Sequence, residues 1–158
     1  MQGIYILFIE FKQSRDILIG KRGKYRFAAG YYAYVGSALN NLVKRIERHL
    51  RADKKLYWHI DYLLNNSRIR GVVYAETDNK LECIIAKELL KILRPIQGFG
   101  CSDCKCEAHL FYHDNSYVLR EAVLNSFRAL KLTPVEISAG QSASKASSSR
   151  SSKEGSIS

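Results

Sequence analysis

At 158 residues, with 46% apolar and 25% charged side chains, the chain has room for one domain or at most two and cannot be disordered along its whole length. Its net charge of +10, from 25 Lys and Arg against 15 Asp and Glu, points to nucleic acid as a partner, because a basic surface that neutralises phosphates releases counterions. No apolar run approaches the roughly 18 residues of a membrane span and the N-terminus has no secretory pattern, so the expected compartment is cytoplasmic, with no membrane partner.

The segment Gly3–Phe11 is rich in β-branched and aromatic residues and predicts a buried strand. Residues 12–16 form a polar turn, and residues 17–19 begin a returning strand. Gly20, Gly23 and Gly30 then punctuate a basic hairpin carrying Lys21, Arg22, Lys24 and Arg26, with a short strand at 25–27. Residues 31–35 read as the next strand, ended at Gly36. The clearest helix spans residues 39–51, where Leu39, Leu42, Val43, Ile46 and Leu50 repeat as one apolar stripe. Lys44, Arg48 and Arg51 lie opposite the stripe. Arg45 and His49 share its margin one turn apart, where the core holds a side chain while its tip stays available.

A shorter helix is expected over 58–65, a strand over 69–75, and a long helix over 81–93 that Pro95 ends. A loop at 101–109, a short strand at 110–112 and a last helix at 117–130 follow. Ten of the 21 residues from Ser138 onward are serine, which cannot bury enough apolar surface to offset ordering entropy, so a disordered tail is expected. Hairpin strands followed by helices predict an α+β fold, a small and mainly antiparallel sheet flanked by helices. No glycine-rich phosphate motif opens a helix, which removes support from nucleotide-binding folds. The four cysteines, Cys83, Cys101, Cys104 and Cys106, should stay reduced in a cytoplasmic chain, in metal sites or plain packing and not in disulfides.

Tyr5 within Gly3-Ile4-Tyr5 and Tyr34 within Tyr34-Val35-Gly36 each read, taken singly, as strand packing. The second is followed by Ser37, Ala38, Leu42, Arg45 and His49. Further blocks are Trp58-His59-Ile60-Asp61-Tyr62-Leu63, Leu81-Glu82-Cys83, Gly98-Phe99-Gly100-Cys101-Ser102-Asp103-Cys104-Lys105-Cys106 and His109-Leu110-Phe111. This ordered set resembles the GIY-YIG nuclease superfamily, specifically its Uri-type branch of stand-alone, DUF123-like domains, over residues 3–113. The resemblance implies a GIY-YIG-like nuclease domain at 1–115, with a C-terminal helix at 116–134 and the Ser-rich disordered tail at 135–158 outside it.

The resemblance further implies a metal-dependent endonuclease that hydrolyses phosphodiester bonds in DNA, in repair or processing, with a repair protein as a further partner. Nothing in the sequence separates DNA from RNA. Tyr5 is then the general base or orients the attacking water, with Tyr34 hydrogen-bonded in the same site. A phenol with a pKa of about 10 is a poor base at neutral pH, so the metal and Arg45 must lower it. Arg45 offers a planar fork to a phosphate, and His49 carries a proton or contacts the phosphate. His59 is a better candidate for the site than Asp61, since positions two apart on a helix do not share a face. Asp61 is left to cap, pair with a basic residue or hold a histidine. Lys21, Arg22, Lys24, Arg26, Lys44, Arg48 and Arg51 are the expected contacts to the nucleic-acid backbone.

Glu82 has two readings. It can close a capping box on Asn79, or, by the resemblance, hold Mg²⁺ or Mn²⁺ together with waters and phosphate oxygens. Cys101, Cys104, Cys106 and His109 are four soft donors within nine residues, and structural Zn²⁺ is one reading of them. In the other, Ser102, Asp103 and His109 close over the active site. Two departures stand out. Tyr5 and Tyr34 are 29 positions apart, wider than the family's spacing, and the Asn that follows the Glu helix in many relatives is missing, with Gln97 or Ser102 as substitutes. A chain with these departures also fits a non-catalytic nucleic-acid-binding module of a repair complex.

Overall fold

Alternation along the first strand sets the layers of the molecule. The computed structural model of the protein describes residues 1–100 and 106–138, and in it β1 (Gly3–Phe11) is buried on both faces. It pairs antiparallel with β4 (Gly30–Ala38) on one side and β5 (Arg68–Glu76) on the other. Tyr5, Leu7, Ile9 and Phe11 point to one core, and Ile4 and Ile6 to the other, as a period of two requires. The full sheet runs β6 (Arg94–Pro95), β7 (Leu110–His113), β4, β1, β5, β8 (Val135–Ser138), with every pairing antiparallel.

The Tyr5 face carries α1 (Leu42–Leu50), α2 (His59–Leu64) and the hairpin β2 (Arg15–Leu18)–β3 (Lys24–Phe27). Phe27 pins that hairpin by stacking on Phe11 at 5.6 Å and meeting Phe99 edge-on at 6.3 Å, while its basic side chains stay exposed. The opposite face carries α3 (Glu82–Leu90) and α4 (Ser116–Ala129), whose Ile85, Leu89, Val123 and Phe127 are buried against Ile6, Val35 and Val73. The fold is therefore α+β with a six-stranded antiparallel sheet between two helical layers. Among the described residues no helix is long and apolar enough to cross a membrane.

Several expected boundaries move. Helix α1 starts at Leu42, because Asn41 takes a left-handed conformation (φ 53°), and Leu39 is 69% exposed instead of opening the stripe. Strand β4 does not stop at Gly36 but continues to Ala38, completing its ladder with Gly3 of β1. The expected tail of 135–158 begins with structure. Residues of β8 pair with Gly71 to Tyr74 of β5, and Ile137 is buried in the Tyr5-face core. The remainder of the tail lies outside the described residues.

The alternating Val-Glu-Ile-Ser of β8 gives a direct prediction. A chain cut after residue 134 should melt roughly 5–10 °C below one cut after residue 138, since Ile137 alone contributes about 1.5–3 kcal/mol and ladder hydrogen bonds add to it. Thermal unfolding followed by circular dichroism decides; equal midpoints would make β8 an ornament of the edge.

Candidate active site

The register of β1 on β4 sets Tyr5 directly across from Gly36. The phenol ring lies over that glycine so closely that a Cβ at position 36 would overlap its ring atoms. Glycine in the Tyr-Val-Gly motif is thus needed for space, not for backbone freedom. Lying flat, the ring reaches α1, and the Tyr5 hydroxyl meets His49 Nε2 at 2.7 Å.

His49 was expected at a margin with its tip available, but it is 1% exposed. Tyr5, Tyr34 and Trp58 surround its ring, with centroids 5.3, 6.4 and 5.9 Å away. Its Nδ1 is buried without a hydrogen-bond partner among the described residues. Burial pushes its pKa down to about 3, helped by the nearby positive charges of Arg45 and Arg48 and opposed by Asp61, so the ring is neutral at physiological pH. Burial also raises the Tyr5 and Tyr34 phenols well above their usual value, and the Arg45 charge only partly offsets it. Both phenols keep their protons.

Arg45 and Arg48 lie about one turn apart on α1. Both guanidinium carbons sit over the Trp58 ring, 4.7 and 4.5 Å from its centroid. Arg45 also donates to the Ser37 carbonyl at 3.2 Å. Arg48 does something different from the expected phosphate contact. It forms a two-pronged pair with the fully buried Asp61, at 2.9 and 3.0 Å, and donates to the Lys55 carbonyl at 3.0 Å. Asp61 additionally accepts the backbone N–H groups of Tyr57 and Trp58, both at 2.8 Å, which caps α2.

Glu82 is the first residue of α3, so the capping box on Asn79 does not form. Its carboxylate accepts from the Ser37 hydroxyl at 2.8 Å and pairs with His109 Nδ1 at 3.1 Å. Burial acts to raise its pKa, but those bonds and the Arg45 charge outweigh burial and hold the carboxyl below the usual range. Tyr5, Tyr34, Arg45, His49, His59 and Glu82 all line a single cleft of about 520 Å³, together with Trp58. Six side chains from five elements therefore converge on it.

Residues 4–132 match the family model described as a domain of unknown function, DUF123. The chain belongs to the DUF123 family. No curated protein and no solved structure matches it.

Elsewhere in this DUF123 chain the sequence-predicted residues fare unevenly. Lys21, Arg22, Lys24 and Arg26 are exposed on the hairpin, and Arg22 reaches the Gly98 carbonyl at 3.5 Å beside the cleft. Arg26 pairs with Asp16 at 3.1 Å on the surface. Lys44 is exposed on α1 and Arg51 just past its end, whereas Arg48 is committed to Asp61. His59 is half-buried, and burial together with Arg22 lowers its pKa. Gln97 is not in the cleft lining; its amide is bonded to Glu107.

The cysteines differ most from expectation. Cys101, Cys104, Ser102 and Asp103 lie outside the described residues. Cys106 is joined to Cys83 by a disulfide, with Cα atoms 6.0 Å apart, because the first turn of α3 meets the segment leading into β7. His109 sits beside Cys83 and Glu82 of that same turn. Sequence reasoning passed over Ser37 and the positioning work of Trp58. For Trp58 the signal was a single tryptophan following a helix with Arg at i and i+3 on one flank; for Ser37 there was none.

Proposed function

We propose that the protein is a GIY-YIG-type, metal-dependent endonuclease that hydrolyses phosphodiester bonds in DNA, in repair or processing. The observation that supports it most is the convergence of Tyr5, Tyr34, Arg45, His49, His59 and Glu82 on one cleft of a strongly basic chain. Glu82 fits a hard divalent cation, since its carboxylate is ionised, 30% exposed at the cleft, and each oxygen keeps a lone pair beyond the bond it accepts. Mg²⁺ or Mn²⁺ bound there would stabilise charge on the phosphoryl and leaving oxygens.

The chain's own groups supply the rest. Arg45 presents guanidinium donors to a phosphate, steadied from one side by Trp58. Tyr5 is protonated and cannot serve as a phenolate base. Its hydroxyl donates to His49 Nε2, which is neutral and 2.7 Å away, and its oxygen accepts a hydrogen bond from the attacking water and orients it. His49, whose pKa is about 3, aims that hydroxyl and is too weak a base to take the proton, which passes to solvent. Tyr34 covers the His49 ring and excludes water from it. His59, at the rim beside Arg22, exchanges protons with solvent.

Supercoiled plasmid incubated with the protein and with Glu82→Ala, in Mg²⁺, Mn²⁺ or chelator, tests this. Metal-dependent nicking that disappears in the variant supports the reading. No nicking by either chain, with tight and salt-sensitive binding, would make the protein a non-catalytic nucleic-acid-binding module.

A further inference from the structure

Beside the cleft, and separate from the groups used above, two sulfurs and an imidazole nitrogen gather. The ligand atoms of Cys83, Cys106 and His109 all lie within 4.8 Å of one another, and His109 Nε2 is 3.9 Å from Cys83 Sγ. His109 is buried and its Nδ1 lies 3.1 Å from Glu82 Oε2. A neutral imidazole that donates through Nδ1 carries its lone pair on Nε2, the nitrogen that faces the sulfurs. Carboxylate, histidine and a soft-donor set in that order is the arrangement that orients histidine ligands of zinc.

We propose that Cys83, Cys106 and His109 form a Zn²⁺ site when their disulfide is reduced, and that His109 ties the ion to Glu82. The distances suit it: on a tetrahedral ion two thiolates stand about 3.7 Å apart and a thiolate and imidazole about 3.5 Å, so the three donors need shift by less than an ångström or so. A fourth, exchangeable donor completes the shell. The disulfide and the ion are alternatives for the same two sulfurs. A dithiol thiolate attacks one sulfur of the Cys83–Cys106 bond, and its second thiol resolves the mixed disulfide. Two electrons pass to the protein, the reductant leaves as its own disulfide, and Cys83 and Cys106 become thiols. Zn²⁺ then displaces their two protons. Oxidation by a disulfide of the same class reverses the sequence and expels the ion. Because His109 is bonded to Glu82, the state of the sulfurs bears on the orientation of that carboxylate.

The proposal stands or falls independently of the nuclease reading. The full chain is reduced with excess dithiol, desalted without oxygen, and titrated with Zn²⁺ or with Co²⁺, whose thiolate-to-metal absorption reports sulfur ligation. One ion per chain with that absorption is expected, at least 100-fold weaker in Cys83→Ser, Cys106→Ser and His109→Ala, and unchanged in the Cys101→Ser, Cys104→Ser double variant. Far-UV circular dichroism of each metal-free variant checks folding. For any variant that does not fold, the comparison of the reduced and oxidised native chain decides, since the oxidised chain should show no thiolate absorption. Undiminished binding in folded Cys83→Ser, loss in the double variant alone, or equal binding by the oxidised chain overturns the proposal.

Discussion

Replacing Arg45 by alanine should lower metal-dependent cleavage by about 10²–10³-fold while leaving retention of DNA nearly unchanged. The guanidinium lines the cleft, over Trp58 and on the Ser37 carbonyl, in company with Tyr5, His49 and Glu82. The bulk of nucleic-acid affinity should come instead from the exposed hairpin lysines and arginines and from Lys44 and Arg51, none of which the substitution touches. Arg45 is thus asked to act where charge builds up during reaction, not where the backbone docks. Single-turnover cleavage measured beside filter binding at several salt concentrations separates the two. An equal loss of binding and cleavage would show that Arg45 is a docking residue.

The second large effect concerns stability. Asp61→Ala should destabilise the fold by about 3–5 kcal/mol, a sizeable part of the roughly 5–15 kcal/mol available to a domain. Asp61 is fully buried and serves three partners at once: the Arg48 fork and the N–H groups of Tyr57 and Trp58. Removing it strands a half-buried guanidinium and two backbone donors. Burial works to raise the Asp61 pKa, but Arg48 and the two N–H groups prevail, and the carboxyl is held below its ordinary value. A group with a depressed pKa in the folded state contributes fully above its unfolded value of about 3.9, and the contribution fades as pH falls below that toward the folded value. Denaturant titrations of both chains should therefore differ by a constant amount from pH 7 down to about 5 and converge below about 4. A gap that persists undiminished at pH 3 would assign the loss to packing instead of to the ionised carboxylate.

How much of this was legible in the sequence depends on whether a feature repeats. Strand β1, the basic hairpin, α1 and α4 carry runs of periodic residues, and their existence follows from pattern. Strand β6 is two residues long and carries no pattern at all. Strand β8 does alternate, but serine-rich composition to its C-terminal side outweighed four residues of alternation. For the site, the spaced motif names residues that the fold brings to one cleft, while their environments did not follow. A helical wheel places His49 beside the stripe; only the tertiary arrangement of Tyr5, Tyr34 and Trp58 buries it. Arg48 read as a solvent-facing cation because its partner, Asp61, lies 13 positions on in a different helix. Likewise the union of Cys83 with Cys106, and of Glu82 with His109, joins segments with no local code for each other.

The central position of the first strand has a consequence during synthesis. Gly3–Phe11 leaves the ribosome before both of the strands that cover its edges, β4 beginning 27 residues on and β5 65 residues on. At about 5–20 residues per second, the second edge stays open for roughly 3–13 s of elongation. Throughout that interval Ile4-Tyr5-Ile6-Leu7-Phe8-Ile9 is an unpaired, sticky β segment of the kind that nascent-chain chaperones bind. This demand on cellular folding assistance thus falls before β5 has been translated, and slow codons between residues 12 and 67 would lengthen it.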